Sequence, residues 1–150
     1  VHLMCEDYLN NKKVSGMPDA LEMFHSIKPL LNNINNIHYQ EQALWSKHLG
    51  MAGRVDCIAE YEGVLSIIDF KTSARPKTKD KIEDYFWQTT AYALMYEEMV
   101  GTPINQLIII MAVEHHQPLV FIQKTEDHIE GLVKAIQYYK NQMFLDHFEF

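Results

Sequence analysis

A chain of 150 residues, 47% apolar and 22% charged, has the length and make-up of a single globular domain, which excludes a disordered segment and leaves no room for two cores. A formal net charge of −7 excludes wrapping of nucleic acid by the whole surface, and no apolar run comes near the ~20 residues needed to cross a bilayer. Cys5 and Cys57 are too few for a disulfide scaffold, and their apolar surroundings suggest buried, reduced thiols in a cytoplasmic or other intracellular reducing compartment.

The chain opens on Val1 rather than Met and shows no signal-peptide pattern, which suggests a domain truncated at its N-terminus. From Val1 to Asn10 the apolar residues Val1, Met4, Cys5, Tyr8 and Leu9 recur at helical spacing, with His2 and Glu6 four apart on the other face. A second helix opens at Met17-Pro18-Asp19, since proline suits a first turn, and runs to about Leu31; Pro29 is expected to kink or shorten it. Asn32 to Asn36 reads as a loop and Ile37 to Trp45 as a strand. Two β-branched runs within Gly53 to Lys71 then flank Glu62-Gly63, which is a hairpin signal and gives three consecutive antiparallel strands. A loop with Pro76 leads to a helix from about Lys81 to Val100, with Asp80 and Glu83 in a capping pattern and Gly101 and Pro103 as its stop. Gln106 to Val113 is nearly all apolar, as a strand buried on both faces is, and Leu119 to Gln123 is its partner. Thr125 caps a final helix whose stripe is Ile129, Leu132, Val133, Ile136 and Met143. The order is α/β: helices packed on a central mixed sheet of about five strands.

A turn centred on Glu62-Gly63 sets Tyr61 against Val64 and Asp56 directly opposite Asp69. Directly opposed residues have Cβ atoms about 4.5–5.5 Å apart, and like charges there destabilise the pair. A divalent cation between them reverses that sign. Asp69 and Lys71 are two apart and share a face, so this face offers two carboxylates for a hard cation with an ammonium beside them. That is the outline of a metal-dependent phosphate-chemistry site. Plainer readings exist: Asp56 as an acceptor of backbone N–H groups at a strand end, and Lys71 as half of a buried ion pair. Against the first, Asp56 lies mid-strand, where Asp is disfavoured; against the second, one ammonium does not balance two carboxylates. Arg75, Lys77, Lys79 and Lys81 concentrate positive charge just beyond. Such a run alone is a solvated loop, but this one leaves directly from the site and so suggests phosphate contact.

Gly53-Arg54-Val55-Asp56, then Asp69-Phe70-Lys71, then Gln88-Thr89-Thr90-Ala91-Tyr92 on the next helix together resemble the PD-(D/E)XK nuclease superfamily, and within it the RecB-like, Cas4-like exonuclease branch. The resemblance covers nearly the whole chain, and the combination is far more specific than Asp-x-Lys alone. It implies a restriction-endonuclease-like core and an Mg²⁺- or Mn²⁺-dependent exonuclease acting on DNA, single-stranded or at duplex ends, in recombination, repair or phage DNA processing. It implies His2, Asp56, Asp69 and the Phe70 carbonyl as metal ligands, with Asp56, Asp69 and Lys71 as the catalytic set. It places Gln88 and Tyr92 against Lys71 or the nucleic-acid backbone; Arg75, Lys77 and Lys79 are added as nucleic-acid-binding candidates on the local charge alone. Some relatives carry an iron–sulfur cluster on four cysteines; two cannot supply that ligation, so no cluster is expected. Glu41 matches an acidic position often seen in the family, without an assigned role. His115 and His116 are adjacent, would point apart on a strand, and do not suggest a metal site. Two other readings stay open: an endonuclease or junction resolvase on the same fold, and a non-catalytic nucleic-acid-binding subunit with a vestigial site.

Overall fold

The computed structural model describes residues 1–148, with side chains as far as Lys140. Helices α1 (His2–Leu9) and α2 (Pro18–Leu31) precede strands β1 (Ile34–Ser46), β2 (Met51–Tyr61) and β3 (Val64–Ser73). Helix α3 (Glu83–Val100), strands β4 (Gln106–Val113) and β5 (Leu119–Lys124) and helix α4 (Ile129–Phe148) complete the chain. The five strands form one sheet in the order β1-β2-β3-β4-β5. All neighbours are antiparallel except β3 and β4, which run parallel and so need a crossover, supplied by α3. This is the mixed sheet flanked by helices that the element order called for. Among the described residues no helix is long and apolar enough to cross a membrane.

The hairpin register is as the turn dictates. Glu62 and Gly63 both have positive φ, 50° and 82°, the twist that favours a two-residue hairpin, and Tyr61 pairs with Val64. Strand β4 is buried at every position after Gln106, because α1 and α2 cover one face of the sheet while α3 and α4 cover the other. Met4, Cys5, Phe24 and Ile27 pack with Cys57, Ile68 and Phe70 on the first face. Ala91, Met95 and Leu132 pack with Ile58, Ile67 and Leu107 on the second. By alternation Asp69 and Lys71 share the face of Ile67, so β3 turns both toward α3.

Several boundaries differ from the sequence expectation. Strand β1 begins at Ile34, inside the Asn-rich stretch, and absorbs the extra residues in a register shift between Asn35 and Tyr39, where Asn36 has φ 49°. Asn tolerates that left-handed conformation better than most residues. Pro29 sits inside α2 without ending it before Leu31. Helix α3 starts at Glu83 after a short 3₁₀ turn over Lys79–Lys81, and Asp80 does not cap it; its carboxylate instead accepts from the Thr78 hydroxyl. Thr125 likewise caps nothing: its hydroxyl donates to the Ile104 carbonyl at 2.8 Å, and α4 begins four residues later. The Met143 side chain of the expected apolar stripe lies outside the described residues.

Candidate active site

Strands β2 and β3 pair regularly from Tyr61–Val64 to Cys57–Ile68 and then part. Beyond that step β2 continues its ladder with β1, and β3 continues with β4. Asp56 and Asp69 are the first residues past the parting, so they flank an opening rather than form an ordinary cross-strand pair. The Asp56 carboxylate spans the opening, its Oδ2 accepting from the Phe70 N–H at 2.8 Å. The plainer reading of Asp56 as a backbone acceptor is therefore correct, and it coexists with the acidic cluster. His2, at the start of α1, brings its Nε2 to 3.3 Å from the same Oδ2 and lies within hydrogen-bonding reach of the Phe70 backbone.

Lys71 is fixed from three sides. Its Nζ lies 3.0 Å from Asp69 Oδ2, donates to Gln88 Oε1 at 3.0 Å and stands 4.6 Å from the centre of the Tyr85 ring. Gln88 in turn donates through Nε2 to the Tyr92 hydroxyl at 2.9 Å. Tyr92 packs on Gly53, where an added Cβ would come within 2.8 Å of the ring. The glycine ahead of Asp56 thus serves the tyrosine on α3, and the two sequence motifs meet in space. Gly53→Ala should push Tyr92 aside and draw Gln88 from Lys71, at a stability cost of about 1–3 kcal/mol for overpacking. Denaturant unfolding with activity measured alongside checks this; activity should fall further than the folded fraction does.

The electrostatics are those of an unbalanced cluster. Burial, then the hydrogen bond with Asp56 and its charge, push the Asp69 carboxyl up to about 7 despite Lys71. For Asp56 burial also acts upward, but hydrogen bonds with His2, Asp69 and the Phe70 N–H outweigh it and hold the carboxyl below its usual range. The two titrate as a unit, with the shared proton on Asp69. The Asp56 hydrogen bond raises His2, against its partial burial. Burial would lower Lys71, yet the neighbouring Asp69 leaves it raised and charged. The ammonium lies 3.0 Å from the buried Asp69 Oδ2 as an ion pair. That one ammonium stands against two carboxylates, Asp56 and Asp69, and burying the surplus negative charge costs several kcal/mol unless a further cation meets it. Among the described residues no three His, Cys, Asp or Glu side chains already point at one centre; His2 faces Asp56, and Asp69 faces Lys71. The donors nonetheless suit a hard divalent ion: two carboxylates, an imidazole and a backbone carbonyl.

A family model of the PD-(D/E)XK nuclease superfamily matches residues 5–150. The chain belongs to that superfamily. Mitochondrial genome maintenance exonuclease 1 of Xenopus tropicalis is 30% identical over 125 residues, covering 78% of this chain and 35% of the relative. The human protein of that name is 38% identical over 52 residues, which is 35% of this chain and 15% of that relative. The chain therefore spans only a minor part of the length of these curated relatives. Its fold resembles a crystal structure of a presumptive exonuclease from Eubacterium rectale, with TM-score 0.60 at 14% identity, covering 89% of this chain and 55% of the other. That likeness concerns the fold.

Of the residues singled out in the sequence, His2, Asp56, Asp69, Phe70, Lys71, Gln88 and Tyr92 converge in this cluster. Arg75, Lys77 and Lys79 do not enter the cluster; they line the segment leaving β3, and none forms an ion pair among the described residues. Lys77 is linked to the site indirectly, its Nζ lying 5.6 Å from the Tyr85 ring centre, the same ring that Lys71 approaches. Tyr85 escaped the sequence reading, although its place three residues before Gln88 on one helix face was a usable signal. Glu41 falls between the pairs Gln40–Cys57 and Gln42–Val55, so it faces Asp56 from the side away from Asp69. Its φ of 47° is strained for a glutamate in a strand, and burial followed by the charges of Asp56 and Glu6 raises its carboxyl. Nothing in sequence spacing signals a left-handed residue there. His115 sits in the β4–β5 turn, 3.7 Å from Glu22 and away from the cluster.

Proposed function

We propose that this nuclease is an exonuclease that hydrolyses phosphodiester bonds of DNA with Mg²⁺ or Mn²⁺, in DNA repair, recombination or phage DNA processing. The observation that carries the reading is the pair of carboxylates, Asp56 and Asp69, brought together where two strands part, with the single charged ammonium of Lys71 beside them. His2, Asp56, Asp69 and the Phe70 carbonyl would hold the ion, and the chemistry it would supply there is polarisation of the scissile phosphate and a lowered pKa of bound water. Asp69 must surrender its proton for this, so a deprotonated carboxylate is favoured as pH rises toward 7 and beyond. Lys71 stays protonated and acts as a cation aimed at the charge developing on the phosphate, not as the base. Gln88 and Tyr85 keep its rotamer fixed, and Tyr92 holds Gln88. Because Cys5 and Cys57 are fully buried free thiols pushed up to about 12 by burial, we assign the protein to a reducing, intracellular compartment.

Digestion of single-stranded and duplex DNA labelled at either end, with Mg²⁺, Mn²⁺ or EDTA, tests the reading. Release of short labelled products only with metal and only from free ends supports it. Cleavage of a covalently closed circle would replace it with an endonuclease. Binding without cleavage in any metal would leave a nucleic-acid-binding subunit. If Arg75, Lys77 and Lys79 contact phosphates, changing all three to Ala should lower the log–log salt slope of binding by about 2 for single strands and about 3 for duplex. Turnover at saturating DNA should hardly change, since such contacts act equally in ground and transition states. An unchanged slope, measured by fluorescence anisotropy, would return the loop to plain solvation.

A further inference from the structure

A cavity of about 580 Å³ opens beside the partners of Lys71, between the turn joining β1 to β2 and helices α3 and α4. Its walls are largely apolar, built from Met51, Trp87, Met95, Leu132 and Ile136, with Asp84 and Lys140 also lining it. Gln88, Tyr92 and Gly53 line it too, so the cavity adjoins the cluster through the residues that steady Lys71. Trp87 is held in place from α4: a Cβ on Gly131 would come within 2.6 Å of its indole nitrogen, so the helix can lie against the ring only because residue 131 is glycine.

We infer that this cavity receives one unstacked nucleobase, that of the nucleotide next to the phosphate held at Asp56, Asp69 and Lys71. The inference rests on the nuclease reading and adds to it the form of the substrate at the cut: a single strand or a frayed end. A phosphodiester placed at Lys71 brings its own nucleoside within reach of the cavity mouth. Sugar and phosphate gain little from apolar walls, whereas every base has a π-face that an aromatic and aliphatic lining accepts without regard to sequence. In a duplex both faces of a base are covered by stacking, so only a base splayed from its neighbours can enter. The net charge of −7 adds a reason for such a device: a negative protein gains little from the nucleic-acid backbone outside its basic loop, and a neutral base escapes that repulsion.

The test uses ten-residue oligothymidylates in which a single abasic nucleotide is walked along the strand. On the wild type, one abasic position next to the cut should raise KM about tenfold or more, the range expected for one stacked base, while kcat moves little. In Trp87→Ala the KM should already be raised and the abasic walk flat. Because that change could loosen α3 against α4, Ala135→Phe serves as a second variant that fills the cavity from α4; it should give the same KM rise with an unchanged Tm. Quenching of Trp87 fluorescence by the oligonucleotide in EDTA, in a Trp45→Phe background, reports base entry without cleavage. A flat abasic walk on a wild type that cuts DNA would overturn the cavity assignment, as would duplex cleaved faster than single strand. Quenching without any cleavage would instead remove the nuclease reading and leave the base site standing.

Discussion

Changing Lys71 to Ala should lower the single-turnover rate on DNA by about 10²–10³-fold, the usual cost of one preorganised electrostatic donor, while calorimetric binding of Mg²⁺ or Mn²⁺ stays near that of the wild type. The expectation follows from its surroundings. Asp69 keeps the ammonium charged despite burial, so what the variant loses is positive charge at the phosphate, not a proton acceptor. Lys71→Arg should recover only part of the rate, because a planar guanidinium cannot occupy the niche between Gln88 and the Tyr85 ring in the same way. A Lys71→Ala variant cutting at the wild-type rate would assign water activation to another group. A loss of metal affinity as large as the loss of rate would reduce the lysine to a counter-ion for Asp69.

The metal-free protein should become less stable between pH 5 and pH 8, and divalent metal should stabilise it more at the upper end. An aspartate in the unfolded chain loses its proton near 4, whereas Asp69 in the fold keeps it to about 7. Between those values the native state binds more protons than the unfolded one, so stability present at pH 4 is lost as pH rises toward 7. His2, raised by its bond to Asp56, acts in the same direction above its ordinary value. Asp56 acts oppositely but only below about 4, where its depressed carboxyl must be protonated. Each tenfold difference in proton affinity between the folded and unfolded chain is worth about 1.4 kcal/mol, which puts the loss at about 2–4 kcal/mol. Asp69→Asn should remove most of that slope, be more stable than wild type in EDTA at pH 8, and lose the metal increment. Urea unfolding at three pH values, with EDTA or Mn²⁺, decides it: equal slopes and equal metal stabilisation in both proteins would sink the assignment of Asp69.

The backbone of the site was legible because it depends on short-range rules. Glu62-Gly63 fixes the hairpin, the hairpin fixes the register, and the register brings Asp56 next to Asp69. The opening between them was not legible, since it arises from β2 and β3 following different neighbours, β1 and β4, and that competition involves residues far apart in the chain. The contact of Gly53 with Tyr92 was hidden for the same reason: each residue looked like part of its own motif, and only packing shows that one makes room for the other. Capping patterns misled at Asp80 and Thr125, where side-chain oxygens found partners outside the helices they precede. Glu41 shows the remaining limit, because its strained backbone is imposed by the sheet and not by its own side chain.

The crossover from β3 to β4 has a consequence for how such a protein can change over time. A parallel neighbour obliges the chain to leave the sheet at the end of β3, so the basic loop and α3 must depart from the very place where Asp69 and Lys71 stand. One uninterrupted stretch from Gly53 to Tyr92 therefore carries most groups of the candidate site, with His2 joining it from α1. Insertions in the α2–β1 or β4–β5 connections, or in the exposed loop after β3, would lengthen the protein without moving these atoms relative to one another, whereas a single residue added within β3 between Asp69 and Lys71, or within α3 before Gln88, would dislodge Lys71 from its partner.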